Sequence, residues 1–130
     1  MDTACAAADI ISGLTSAQAI VIHGRNIKPG THIDLAGAYT PAMRETDAEA
    51  VAMSRVYVDV HEVAKHEAGD LHMAAKEGKF EWSSVQGDLH QLTRGQVLGR
   101  RTDAEVTLFK SCGTALEDLV SAAMVYLRSP

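Results

Sequence analysis

Arg55-Val56-Tyr57-Val58-Asp59-Val60 is the stretch that decides the fold, because its apolar centre is typical of a strand buried on both faces of a parallel sheet. A helix is predicted on each side of it. The helix before it is capped by Thr46 or Asp47, and the helix after it runs from His61 to Ala68 and ends at Gly69. A strand between two helices predicts an α/β layered fold with at least partly parallel strands.

Further strands and helices are predicted outward from this stretch in both directions. A final amphipathic helix runs from Thr114 to Leu127 and carries an apolar stripe that must cover another surface. Another helix is predicted from Val85 to Thr93, with Gly95 as its stop. Short apolar runs with β-branched residues predict strands at Asp9–Ser12 and Ala19–Ile22. A third strand, Thr31–Leu35, is predicted between the turn Lys28-Pro29-Gly30 and the small residues Ala36-Gly37-Ala38, and a final strand is predicted at Glu105–Phe109.

The composition favours one globular domain that works with small molecules. Of the 130 residues, 46% are hydrophobic and 22% are charged, which is typical of a single compact unit. Lys and Arg number 12 against 17 Asp and Glu, so the net charge of −5 is opposite to what nucleic-acid binding requires. No apolar run approaches the ~20 residues of a membrane span, and the two cysteines form no disulfide framework. We therefore expect a cytoplasmic protein that binds neither nucleic acid nor membrane.

Small or hydroxylated residues follow three of the predicted strands. In open α/β sheets, ligands bind beyond the carboxyl ends of the strands. A helix that begins at Ser111 or Gly113 would also direct backbone N–H groups at that region. A ligand crevice is therefore predicted beside three segments: Gly13-Leu14-Thr15-Ser16, Ala36-Gly37-Ala38-Tyr39 and Lys110-Ser111-Cys112-Gly113.

Other reactive side chains give weaker predictions. His61 and His66 are five residues apart, whereas the zinc ligands of a metalloprotease helix are four apart, so no metal site is predicted. His66 and Asp70 are expected to form a surface pair. Cys112 stands at a strand-to-helix turn, where the pKa of a thiol can fall. No base lies near it in sequence, so a small buried residue is favoured over a nucleophile.

Five groups of residues together resemble the ornithine cyclodeaminase/mu-crystallin family in order and spacing. The likeness extends over nearly the whole chain, and its Gly-Ala-Tyr-Thr-Pro segment is similar to the branch that reduces cyclic ketimines such as 1-pyrroline-2-carboxylate to proline. The groups are Ala8-Asp9-Ile10-Ile11; Lys28-Pro29-Gly30-Thr31-His32; Gly37-Ala38-Tyr39-Thr40-Pro41 with Met43-Arg44-Glu45; Glu67-Ala68-Gly69-Asp70-Leu71; and Thr107-Leu108-Phe109-Lys110-Ser111 with Gly113-Thr114-Ala115-Leu116-Glu117-Asp118-Leu119.

The resemblance implies a partial Rossmann-like fold, the second half of a dinucleotide-binding unit, with a long C-terminal helix. Residues 1–110 would belong to that unit, and residues 111–130 would form a helix of the substrate and dimerisation region. The implied function is that of an NAD(P)-dependent oxidoreductase that reduces a cyclic imine to an amino acid such as proline. The implied partners are NAD or NADP, an imine or amino-acid substrate, and a second copy of the protein.

The resemblance also implies the roles of individual residues. Glu67 and Asp70 would serve as catalytic acid or water-positioning groups, and for Asp70 the alternative is an N-cap on the next segment. Arg44 and Cys112 would contact the substrate. The implied cofactor contacts are Thr15, Leu35, Ala36, Gly37, Ala38 and Ser111.

The sequence departs from the family pattern at two places, and these change the expected reaction and the expected strength of cofactor binding. The cyclodeaminases place a catalytic aspartate where this chain reads Ala38-Tyr39-Thr40, so imine reduction is favoured over ornithine cyclisation. The family's Gly-x-Gly-x-x-Gly phosphate turn does not occur in this sequence, which resembles the C-terminal portion of a longer member. We therefore expect this chain alone to bind the dinucleotide weakly and to be inactive. The alternative is a non-catalytic half-Rossmann module that binds a small ligand or pairs through its last helix.

Overall fold

The computed structural model describes residues 1–129, in which five parallel strands form one sheet. The spatial order of the strands is β1-β2-β5-β3-β4, so the last strand of the chain lies between the second and the third. This arrangement confirms the prediction of an α/β fold with a parallel sheet. The strands are β1 (Ile10–Gly13), β2 (His32–Leu35), β3 (Ser54–Val58), β4 (Gly87–Asp88) and β5 (Val106–Lys110).

Six helices connect and cover these strands. The predicted cap at Asp47 is confirmed, since its side chain accepts a hydrogen bond from the backbone N–H of Ala50. Thr114 caps the last helix through a reciprocal pair of hydrogen bonds with Glu117. The helices are α1 (Asp2–Ala7), α2 (Ala48–Ala52), α3 (His61–Glu67), α4 (Gly69–Lys76), α5 (Leu89–Thr93) and α6 (Ala115–Arg128).

The hydrophobic core lies on one face of the sheet, against α2 and α4. Leu71 of α4 and Val51 of α2 are almost fully buried in the same cluster as alternate residues of the central strands. Each large side chain buried in this way stabilises the fold by about 1.5–3 kcal/mol. None of the residues of α6 is buried, so the last helix contributes nothing comparable. The strand residues in this core include Ile33, Leu35, Val56, Val58 and Leu108.

Two of the predicted elements are wrong. Ala19–Ile22 is not a strand, because the segment pairs with the rest of the fold through a single bridge between Ile22 and Thr46. The helix predicted from Val85 to Thr93 begins only at Leu89. The two residues that precede Leu89 form β4 and pair with the end of β3.

A third difference concerns Gly69, which begins α4 instead of ending a helix. A side chain at this position would collide with the backbone carbonyl oxygens of Thr40 and Met43. Gly69 is therefore required by the close approach of the 40–43 loop, and α3 ends two residues earlier, at Glu67. No helix among residues 1–129 is both long enough and apolar enough to cross a membrane.

Candidate functional site

The carboxyl ends of four neighbouring strands meet along one edge of the sheet. We call this the carboxyl edge and define it by Gly13, Leu35, Val58 and Lys110, the last residues of β1, β2, β3 and β5. Each of them is paired in register with its neighbour across the sheet. The three segments predicted to line a crevice begin at Gly13, directly after Leu35 and at Lys110. The structure therefore brings the predicted segments together at the edge where ligands of such sheets bind.

Gly37 forms the tightest backbone contact at the carboxyl edge. A side chain there would collide with the carbonyl oxygen of Thr15 and with the carboxyl group of Glu45. The next residue, Ala38, is fully buried and has a φ of 45°, in the left-handed region that favours glycine. Its carbonyl oxygen accepts a hydrogen bond of 2.9 Å from the N–H of Gly69, which holds the turn against α4. Of the predicted cofactor residues, Thr15 is exposed and Ala36 is half-buried.

Glu45 lies at the centre of this contact and was not among the predicted site residues. It is fully buried, and its Oε1 accepts a hydrogen bond of 2.5 Å from the backbone N–H of Thr15. Its carbonyl oxygen accepts hydrogen bonds of 2.9 Å from the N–H groups of Val21 and Ile22. Its Oε2 is buried with no hydrogen-bond partner. The one signal for Glu45 in the sequence was its place in the Met43-Arg44-Glu45 segment of the resemblance.

Asp70 is fully buried beside Glu45, so the prediction of a surface pair between His66 and Asp70 is wrong. Its Oδ1 accepts hydrogen bonds of 2.7 and 2.9 Å from the N–H groups of Glu45 and Thr46. Burial raises the pKa of Asp70, while these two hydrogen bonds and the charge of Lys110 act in the opposite direction. The carboxyl group therefore fixes the backbone of the 45–46 segment. It does not cap α4.

Lys110 ends β5 and is also fully buried. Its Nζ lies 3.8 Å from Oδ2 of Asp70 and donates hydrogen bonds to the carbonyl oxygens of Leu35, Gly37 and Ser111. A buried ammonium group is tolerated where an acid and several acceptors surround it. Lys110 thereby links the turn after β2 to the turn after β5.

Asp59 holds the segment that follows Lys110 through hydrogen bonds. Its Oδ2 accepts hydrogen bonds from the Ser111 hydroxyl at 3.1 Å, from the Cys112 N–H at 2.6 Å and from the Gly113 N–H at 2.7 Å. The expectation that these N–H groups face a ligand is therefore wrong, because an internal carboxylate already occupies them. Asp59 was also missed as a site residue, since it stood within the predicted strand Arg55–Val60.

Cys112 is half-buried and carries an unusually weakly acidic thiol. Burial raises its pKa to about 11; the charge of Lys110 acts in the opposite direction, and the negative charges of Asp59, Glu67 and Asp70 add to the effect of burial. The thiol is therefore protonated at neutral pH, which agrees with the preference for a small packed residue over a nucleophile.

Of the two remaining predicted site residues, Glu67 is exposed to solvent and Arg44 is largely buried. Glu67 lies at the C-terminal end of α3. The guanidinium of Arg44 donates to the carbonyl oxygen of Thr46 and pairs with Glu77 at 2.7 Å. Glu77 follows the C-terminal end of α4, about 10 Å from the end that carries Asp70, given 1.5 Å per helical residue. Among residues 1–129, no group of three or more His, Cys, Asp or Glu side chains is placed to hold a metal ion.

Known proteins are similar to this chain in both sequence and fold. A Delta(1)-pyrroline-2-carboxylate reductase of Bacillus cereus is 37% identical over 123 residues, which cover 94% of this chain and 38% of the relative. The chain thus spans about two fifths of the length of the curated relatives it matches.

Two solved structures extend the comparison to the fold. The Thermococcus litoralis Delta(1)-pyrroline-2-carboxylate reductase in complex with NADH and L-proline superposes with a TM-score of 0.91 at 35% identity, over 96% of this chain and 39% of that one. The iminosuccinate reductase of Paracoccus denitrificans in complex with NAD+ superposes with a TM-score of 0.84 at 33% identity, over 97% of this chain and 38% of that one. The profile of the ornithine cyclodeaminase/mu-crystallin family matches residues 1–129, and the chain belongs to that family.

Proposed function

We propose that this chain supplies the nicotinamide and substrate side of an NAD(P)-dependent reductase that converts a cyclic imine, such as 1-pyrroline-2-carboxylate, to an amino acid. The observation that carries the proposal is the carboxyl edge, where three small or hydroxylated segments follow strands in register. The likeness to two imine reductases, one bound to NADH and one to NAD+, supports it.

The residues of the carboxyl edge fit the nicotinamide half of such a cofactor. Gly37 and Ala38 hold the turn after β2 close to the sheet, and Ala36 adds only a methyl group. Thr15 and Ser111 place hydroxyl groups after β1 and β5. The proposed cofactor contacts are Thr15, Leu35, Ala36, Gly37, Ala38 and Ser111. Leu35 is fully buried, so its contribution is through the backbone.

When bound, the cofactor supplies a hydride to the carbon of the C=N bond, and the nitrogen takes up a proton. We propose Glu67, which is exposed, as the acid or water-positioning group for that proton. Asp70 is buried, so its proposed part in the reaction is exerted through the backbone of Glu45 and Thr46. Arg44 and Cys112 complete the proposal as substrate-side residues.

The phosphate half of the cofactor has no equivalent cradle in these residues. The sequence contains no Gly-x-Gly-x-x-Gly turn, which in dinucleotide-binding folds directs N–H groups at the pyrophosphate. We therefore propose that this chain alone binds NADH or NADPH weakly.

A direct test is to titrate the chain with millimolar NADH or NADPH and to follow cofactor fluorescence. Oxidation of the cofactor is then measured with 1-pyrroline-2-carboxylate. A fluorescence change that saturates supports the proposed site, and oxidation of the cofactor supports the full activity. If neither cofactor changes its fluorescence, this chain does not form the proposed site.

A second candidate function is a non-catalytic module that pairs through α6. The observation that favours it is the exposure of the apolar residues of this helix, among them Leu119 at 66% and Leu127 at 80%. For either function we propose a homodimer in the cytoplasm as the assembly, and for the reductase we propose residues 111–130 as the substrate and dimerisation region. Pro130 lies outside the described residues. Measuring the mass in solution by light scattering, with and without the α6 substitution Leu119→Asp, tests this assembly.

A further inference from the structure

We infer that Glu45 is a positioning residue for the proposed cofactor site and that it acts by fixing the backbone of Thr15 and Gly37. The inference rests on the proposed function. The carboxyl group of Glu45 is fully buried and accepts the N–H of Thr15, so Glu45 acts on the site through the backbone. Its role is to set the distance between the turn after β1 and the turn after β2.

The hydrogen bond between Glu45 and Thr15 lies where the turns after β1 and β2 meet. There the Gly13 carbonyl oxygen accepts the N–H groups of Ala36 and Gly37. A side chain on Gly37 would collide with the Thr15 carbonyl oxygen. The last paired residues of β1 and β2 are Gly13 and Leu35. Two residues further along, the N–H of Thr15 donates to Oε1 of Glu45, while the Cα of Gly37 packs against the same carboxyl group. One side chain therefore holds both turns that carry the proposed cofactor contacts.

The opposite side of the Gly37 turn is held by Lys110, which donates a hydrogen bond to the Gly37 carbonyl oxygen. Asp70 connects the two supports, since it accepts the N–H of Glu45 and lies 3.8 Å from the ammonium group of Lys110. Three buried ionisable side chains thus fix one turn from two sides. Such support makes a binding site rigid before its ligand arrives.

The carboxyl group of Glu45 is costly to retain for stability alone. Its Oε2 is buried with no hydrogen-bond partner, and an unsatisfied buried polar atom destabilises a fold. An apolar side chain of the same length would remove that cost but would leave the N–H of Thr15 without its acceptor. A carboxyl group at this place therefore serves the geometry of the turns.

The test is Glu45→Met, which keeps the length of the side chain and removes the acceptor. Glu45→Gln keeps the acceptor, and Glu49→Gln changes an exposed acid of α2 as a matched control. Three quantities are measured for each: the melting temperature, the amide hydrogen exchange of Thr15 and the dissociation constant for NADH from fluorescence.

We expect Glu45→Met to bind NADH at least about tenfold more weakly, and this loss should persist at temperatures well below its melting temperature, since small displacements of a site have effects of this size or larger. Thr15 should exchange faster in the same variant. In Glu45→Gln the dissociation constant for NADH and the exchange rate of the Thr15 amide should lie within about threefold of the wild-type values. Glu49→Gln should change neither.

Two outcomes would overturn the inference alone. In one, Glu45→Met binds NADH as the wild type does; in the other, binding weakens only in proportion to a lower melting temperature. A wild-type chain that binds no NADH would overturn the proposed function and this inference with it, and that result is seen before any variant is made.

Discussion

The carboxyl edge of the sheet buries charged side chains, whereas helix α6 exposes apolar ones. At the carboxyl edge Glu45, Asp70 and Lys110 are all 0% exposed, whereas in α6 large apolar residues such as Tyr126 are up to 81% exposed. Charged groups are usually at the surface and apolar groups inside, because desolvating a charge destabilises a fold and burying an apolar side chain stabilises it. The difference shows that the strand ends are built around a polar network and that α6 does not form part of the core of these residues.

The largest expected effect comes from breaking the polar network at Lys110. Lys110→Met should lower the free energy of unfolding by about 3–5 kcal/mol, because it removes the buried positive charge beside Asp70 and leaves the carbonyl oxygens of Gly37 and Ser111 without their donor. Urea unfolding measures this loss. Lys76→Met, at an exposed position of α4, is the control and should change stability by less than about 0.5 kcal/mol. Equal effects of the two substitutions would contradict the assigned role of Lys110.

The contrast in apolar burial predicts the next largest effect. Leu108→Ala in β5 should lower the free energy of unfolding by about 2–5 kcal/mol, because the side chain is fully buried in the core. Leu127→Ala in α6 removes the same atoms from a side chain that is 80% exposed, and should change stability by less than about 0.5 kcal/mol. A large loss from Leu127→Ala in urea unfolding would mean that α6 packs on the core after all.

A smaller loss is expected where the carboxyl edge is most crowded. Gly37→Ala should destabilise the chain by about 1–3 kcal/mol, because the added methyl group collides with Thr15 and Glu45. Gly99→Ala is the matched control, since a side chain at position 99 would meet no atom within 4 Å. Thermal unfolding of the two variants measures the difference. Similar melting temperatures would show that the turn after β2 can move freely.

The last prediction concerns the electrostatics of the carboxyl edge, where the effect of a single substitution should be the smallest. With a pKa of about 11 in place of 9.0, Cys112 should form about 100-fold less thiolate at pH 8 and react with iodoacetamide correspondingly slowly. Glu67→Gln should speed this reaction, because removing a nearby negative charge favours the thiolate and lowers the pKa of the thiol. The rates are measured in a Cys5→Ala background.

Glu62→Gln is the control for that measurement, because Glu62 is an exposed acid of the same helix, α3. It should leave the rate close to that of the Cys5→Ala background. A rate for Cys112 equal to that of an ordinary thiol would contradict its placement beside Asp59 and Asp70.

The central strands were predictable because their sequences carry the physical cause of their structure. β3 and β5 carry apolar and β-branched residues, and β2 alternates buried Ile33 and Leu35 with half-buried polar residues; the buried aliphatic side chains of all three strands belong to the core. β4 was missed because Gly87–Asp88 is a two-residue strand with no apolar side chain, and only its neighbour β3 makes it a strand. Ala19–Ile22 failed for the opposite reason, since an apolar run without a partner strand is not a strand.

The candidate site was predictable at its backbone and less so at its side chains. Small residues after strands indicated where the carboxyl edge would lie, and the structure brings them together. Glu45 and Asp59 were missed because nothing local in the sequence marks an acid that accepts backbone N–H groups inside the fold. Long-range contacts of this kind leave no local pattern.

The central claim is that the carboxyl edge is the cofactor site, and mapping NADH onto the backbone amides by NMR tests it most directly. The account predicts that millimolar NADH shifts the amide signals of Thr15, Gly37, Ala38 and Ser111 and leaves those of α6 unchanged. The absence of any shift, or shifts confined to α6, would contradict it.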